Sequence, residues 1–142
     1  MGIDSVVKAG PVIPVLQFQS VDEGVKVCRA LYEGGIRTFE ITMRTPVALD
    51  VIRAVVKDLG QDAIVGAGTL TLPEHFMQAK DAGAVFAVSP GITPALALAQ
   101  ADAGLDWLPG IATPSELITA LEFGLTTLKF FPAEAAGGIP ML

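Results

Sequence analysis

Cysteine, histidine, tryptophan and tyrosine each occur once in this sequence. With Cys28 alone, no internal disulfide can form, and a reducing cytoplasm is the expected location. One histidine (His75) and one cysteine cannot assemble a zinc ligand set. No Asp/Glu cluster suggests a carboxylate magnesium site. Basic residues are also few, 9 Lys and Arg against 15 Asp and Glu, a net charge of −6. That balance excludes a nucleic-acid partner, because such binders need basic patches. No run reaches 18 consecutive apolar residues, so no membrane span is expected. The opening MGIDSVVKAGP lacks the apolar core of a signal peptide.

What the chain has in quantity is apolar residues, 51% of its 142 positions, enough for a substantial core and against disorder. They fall into short runs: VIPVLQF from Val12, TFEIT from Thr38, IVGAGT from Ile64, FAVSP from Phe86, DWLPGI from Asp106 and TLKFFP from Thr127. The runs start 26, 26, 22, 20 and 21 residues apart, room for a strand, a three-turn helix and two tight loops. Between them lie helical stripes such as Val21, Val25, Cys28 and Leu31, then Leu49, Ile52 and Val56. The helical segments open at Ser20, Thr45-Pro46, Leu72-Pro73, Thr93-Pro94 and Thr113-Pro114. They close on Gly35, Gly60, Gly83, Gly104 and Gly124.

Apolar runs with little alternation suit a parallel sheet covered on both faces. Five consecutive βα units favour a (β/α)8 TIM-barrel type of α/β fold over a doubly wound sheet, although either can be built this way. Six strands are countable where a closed barrel needs eight. Residues 1–142 are therefore expected to form one incomplete barrel domain, with GGIPML as the start of a sixth helix.

Barrel chemistry sits at the C-terminal ends of the strands. The polar residues there are Glu40, Arg44, Thr69, Ser89, Thr113 and Lys129, with Pro90 beside Ser89, and all are expected to face one mouth. Lys129 admits two readings. Its stem could cover apolar surface while its head reaches solvent. Alternatively, burial and a nearby cation such as Arg44 favour a neutral amine that attacks a ketone. Glu40 is either a buried ion-pair partner of Lys129 or Arg44, or a proton carrier, and the two are compatible. Arg44 is an exposed loop arginine or a bidentate clamp on a substrate carboxylate. Gly66 and Gly68 begin a G-x-G, but the third glycine of a dinucleotide fingerprint is replaced by Thr71, so NAD binding is not expected. The glycines are expected to let backbone and ligand approach closely. His75 is expected at the surface, and Cys28 and Trp107 in the core.

GPVIPVLQF, FEITMRTP, VGAGTL, FAVSPG, LPGIATPSE and LKFFPAEAAGG, in this order and spacing, resemble the bacterial KDPG/KHG aldolases. These act on 2-keto-3-deoxy-6-phosphogluconate and 4-hydroxy-2-oxoglutarate. The resemblance runs from about Ala9 to Leu142 and implies a class I aldolase of the Entner-Doudoroff type. It implies Lys129 as the Schiff-base lysine and Glu40 as the general acid/base. It also implies Arg44 and Thr69 on the pyruvyl carboxylate, with Pro90 and Phe131 lining the pyruvate pocket. No metal or cofactor is implied, since an iminium replaces a metal as electron sink. The implied partners are a 2-keto acid substrate and further copies of the chain in a trimer.

The family's barrels also carry a seventh and an eighth strand with glycine-rich loops, where barrel phosphate sites commonly lie. Their absence makes a piece of a longer product, or closure through a partner copy, the expectation, with exposed sheet edges inviting association. Two alternatives stand beside the aldolase. One is a non-catalytic barrel fragment. The other is the phosphogalactonate branch, set apart at the Arg44 position, where this sequence keeps the KDPG-type Arg-Thr pair.

Overall fold

Six parallel strands lie side by side in chain order in the computed structural model, which describes residues 2–142. They are β1 (Val15–Leu16), β2 (Thr38–Thr42), β3 (Ile64–Gly68), β4 (Phe86–Ser89), β5 (Asp106–Ile111) and β6 (Lys129–Phe130). Each pairs with the next in parallel, for example Glu40 with Gly66, Ala87 with Trp107 and Gly110 with Lys129. β1 and β6 are the sheet's two edges, and both are only two residues long.

The helices are α1 (Ile3–Lys8), α2 (Val21–Glu33), α3 (Ala48–Leu59), α4 (Glu74–Asp81), α5 (Pro94–Ala103) and α6 (Pro114–Glu122). From α2 onward each follows a strand, so the sheet curls as an α/β half-barrel of TIM-barrel type. All five expected closing glycines have positive φ, from 64° at Gly104 to 102° at Gly35, the backbone state that only glycine enters cheaply. Three expected N-caps hold: Ser20, Thr93 and Thr113 each accept a backbone N–H three residues on. Thr45 does not cap α3. Its hydroxyl donates to Phe18 O at 2.9 Å, tying the β2 loop to the end of the first strand run.

Side-chain alternation splits the core in two. Phe39 and Ile41 of β2, Val65 and Ala67 of β3, Ala87 of β4 and Trp107 of β5 face the helices, where Cys28, Val51, Ile52, Val55 and Phe76 meet them. Burial there pushes the Cys28 thiol up to about 12, so it is an inert core group. Trp107 packs edge-on against Phe76 and donates its indole N–H to Ser89 Oγ at 3.0 Å.

On the concave side, Phe86 and Val88 pack with Val6 and partly buried Ile3, Ile13, Ile64 and Leu108. Ile64 and Phe86 are the first residues of their strands, so α1 plugs the barrel from its N-terminal end. The residue pattern does not mark this helix. Ile3 and Val6 have the i, i+3 spacing, but six residues are too few for a period to emerge. Asp4 Oδ1 accepts a hydrogen bond from Thr127 Oγ1 at 2.9 Å, joining α1 to the approach to β6.

GGIPML does not begin an α-helix. Gly137 and Gly138 have φ of 112° and 64°, and Ile139–Met141 forms a 3-10 turn closed by Met141 N–H on Gly138 O. Two successive positive-φ glycines leave the right-handed region that an α-helix needs.

Thr38, at the base of β2, is 1% exposed, and its hydroxyl has no hydrogen-bond partner among the described residues. An unpaired buried hydroxyl costs roughly 1–3 kcal/mol. Thr38→Val keeps the branched shape and removes that cost. A stability gain of about 1 kcal/mol is expected, readable as a higher midpoint in urea.

Candidate active site

Two buried strands and one edge strand bring the chemistry together. Glu40 sits mid-β2 with its side chain on the concave face, 4% exposed. Lys129 opens β6 and is paired with Gly110 of β5. Across the curl of the sheet, Lys129 Nζ lies 3.9 Å from Glu40 Oε1, with side-chain exposures of 25% and 5%. That separation is too long for a hydrogen bond, so the amine is held near the carboxylate without being tied up by it. Nζ also lies 4.8 Å from the centroid of the Phe131 ring.

Burial pushes the Glu40 carboxyl above the usual carboxylate range, while the charges of Lys129 and Arg44 pull it back. Desolvation wins, which leaves a base poised closer to neutrality than an exposed glutamate. Arg44, in the loop after β2, is exposed, and its guanidinium is close enough for its charge to act on Glu40. Thr69 follows β3 directly and is the one non-glycine residue with positive φ, 62°, among the described residues. A β-branched residue in that region is strained. Two cross-strand bonds flank it: Met43 N–H to Gly68 O at 2.8 Å and Leu70 N–H to Val88 O at 3.1 Å. Pro90 follows β4 and is exposed. Phe131 follows β6 and is 37% exposed.

Two residues expected at the mouth are elsewhere. Ser89 is turned to the helix layer, where its hydroxyl accepts from Trp107 Nε1 and donates to Gly91 O. One position along a strand reverses the face, and Ser89 has the parity of Ala87, not of Val88. Thr113 is spent on the capping box of α6 with Glu116. His75 is half-buried, and its Nδ1 accepts from Thr71 N–H at 3.3 Å.

The G-x-G of β3 is not a ligand cradle. A Cβ on Gly66 would come within 2.5 Å of Phe86 Cδ1, and one on Gly68 within 2.6 Å of Glu40 Cγ. The space these glycines leave is filled by the protein's own side chains. Gly110 similarly lies against Pro90, whose carbonyl carbon would be 2.6 Å from an added Cβ. The sequence signal was present, glycine at alternate positions of a buried strand, but it does not say who occupies the gap. A groove of about 330 Å³, lined by Ile111, Pro114, Leu117, Leu128, Phe130 and Met141 among others, lies on the opposite side of β6, since Leu128 and Phe130 alternate with Lys129. It is apolar and apart from the Lys129–Glu40 pair.

Residues 3–142 match the family model described as KDPG and KHG aldolase. The KHG/KDPG aldolase of Escherichia coli K12 is 43% identical over 98% of this chain and 65% of its own length. The 2-dehydro-3-deoxy-phosphogluconate aldolase of Pseudoalteromonas atlantica is 48% identical over 92% and 60%. A KDPG aldolase of Legionella pneumophila, whose crystal structure holds pyruvate captured at low pH as a covalent carbinolamine intermediate, is 42% identical. It superposes with a TM-score of 0.92 over 96% of this chain and 66% of its own. The chain thus spans about two thirds or less of the length of these relatives. Sequence, strand order and superposition agree: this chain belongs to the KDPG and KHG aldolase family.

Proposed function

We propose that this chain carries the pyruvyl-activating site of a class I aldolase. Its substrate would be 2-keto-3-deoxy-6-phosphogluconate, cleaved to pyruvate and glyceraldehyde 3-phosphate, or 4-hydroxy-2-oxoglutarate, cleaved to pyruvate and glyoxylate. The observation that carries this reading is the amine of Lys129 standing 3.9 Å from a buried carboxyl, free of any hydrogen bond to it. The Nζ lone pair adds to the C2 ketone and water leaves, giving an iminium. Glu40 takes the C4 hydroxyl proton, directly or through water. The C3–C4 bond then breaks and its electron pair flows to the iminium nitrogen. An aldehyde departs, the enamine is protonated at C3, and hydrolysis frees pyruvate and the lysine.

Arg44 would offer a planar fork for the keto acid's carboxylate, and the Thr69 hydroxyl would help hold it. Pro90 and Phe131 would wall the methyl side of bound pyruvate. A trimeric, cytoplasmic protein is part of the same proposal. One similar chain, 33% identical, belongs to a cage designed by fusing symmetric oligomeric domains, which supports self-association.

Incubation with pyruvate and borohydride is expected to leave a reduced pyruvyl adduct on Lys129, seen by peptide mass spectrometry. A folded sample without adduct overturns the reading. It would favour the non-catalytic alternative. Assay of both C4 epimers separates the phosphogluconate from the phosphogalactonate activity.

A further inference from the structure

Gly68 ends β3 in ordinary extended backbone, as does Gly66; neither is among the glycines with positive φ. Conformational freedom therefore does not explain why glycine stands at either position, and any residue could adopt the backbone. Space does explain it. A Cβ at Gly68 would meet Glu40 alone among its nearest neighbours, at 2.6 Å from Cγ and 2.8 Å from Cδ and closer still to Oε1. The backbone cannot retreat, because Gly68 is in register with Thr42 and its carbonyl accepts from Met43 N–H at 2.8 Å.

We propose that Gly68 is a positioning residue: the missing side chain forms the seat that holds the Glu40 carboxyl beside Lys129. This rests on the aldolase reading only for its kinetic consequence; the seat itself is a property of the fold. Gly66, two residues earlier on the same face, is the internal contrast, since its vacancy is filled by the Phe86 ring. The charged groups facing Glu40 are Lys129 from β6 and Arg44 from the loop after β2. A methyl at position 68 would push the carboxyl out of its seat toward solvent and relieve the burial that raises its protonation range.

The test is Gly68→Ala, read by carbon-13 NMR titration of the Glu40 carboxyl, assigned by its disappearance in Glu40→Gln. The expected result is a titration shifted toward the ordinary carboxylate range, with cleavage slowed by about 100-fold, as small misplacements of a catalytic group can do. In a Glu40→Gln background the same change should cost less than about twofold, because its target is gone. Gly66→Ala should lower stability and leave the Glu40 titration in place.

If Gly68→Ala does not fold, Glu40→Ala/Gly68→Ala decides: alanine at position 40 has none of the atoms the methyl would meet, so recovery of folding supports the seat. Failure of both variants to fold overturns it, as does a folded Gly68→Ala in which Glu40 titrates as in the wild type. A wild type that folds but forms no pyruvyl adduct defeats the aldolase reading and leaves the titration free to decide on Gly68.

Discussion

Replacing Lys129 by methionine is expected to abolish the borohydride-trapped pyruvyl adduct and to slow cleavage by about 10⁴-fold or more, the usual size of losing a covalent nucleophile. Methionine keeps the unbranched stem over Phe131 and removes only the amine, so folding should persist. The companion variant, Lys129→Arg, separates two roles of the side chain. Arginine keeps the cation but cannot be deprotonated in a protein, so it restores the electrostatics without the chemistry. Both variants should be inactive. In Lys129→Met the Glu40 carboxyl should titrate still higher than in the wild type, because Lys129 is the larger of the two charges pulling it down. In Lys129→Arg that extra rise should be absent. Residual adduct in either variant would move the Schiff base to another lysine.

The second large effect is at Glu40. Glu40→Gln keeps the shape and removes the basicity, so cleavage should fall by roughly 10²- to 10⁴-fold, the usual worth of a positioned proton carrier. Trapping of pyruvate on Lys129 should survive, since imine formation needs the amine first. Stability should move the other way. Burial raises the folded-state pKa of Glu40 above its unfolded value. Below the unfolded value, about 4.3 for a free glutamate, both states are protonated and burial of this group is not penalised. As pH rises through the folded value, the unfolded chain releases the proton more readily and stability is lost. Glu40→Gln never ionises, so its advantage over the wild type should be near zero at pH 3 and clear at pH 8. Urea unfolding at the two pH values measures this.

Much of this architecture is readable from residue order. TFEIT and DWLPGI are strands at the bounds their apolar runs suggest. Gly35, Gly60, Gly83, Gly104 and Gly124 mark helix ends because a positive φ is a local demand that a single residue type meets. Lys129 and Glu40 stood out because an ionisable group in a buried strand has few reasons to be there. What stayed hidden depends on three dimensions. Ser89 follows an apolar run as Glu40 does, but its face is set by strand parity, and a bonded Trp107 claims it. Thr113 could cap or catalyse, and the helix took it. α1 became visible only through the Phe86 and Val88 side chains it covers.

The hollow of the sheet is floored before it reaches Glu40. The Phe86 ring fills the gap at Gly66, and Val6 of α1 lies against Phe86 and Val88. A small molecule bound for the carboxyl is thus turned back from the strand beginnings and has to come from the strand ends.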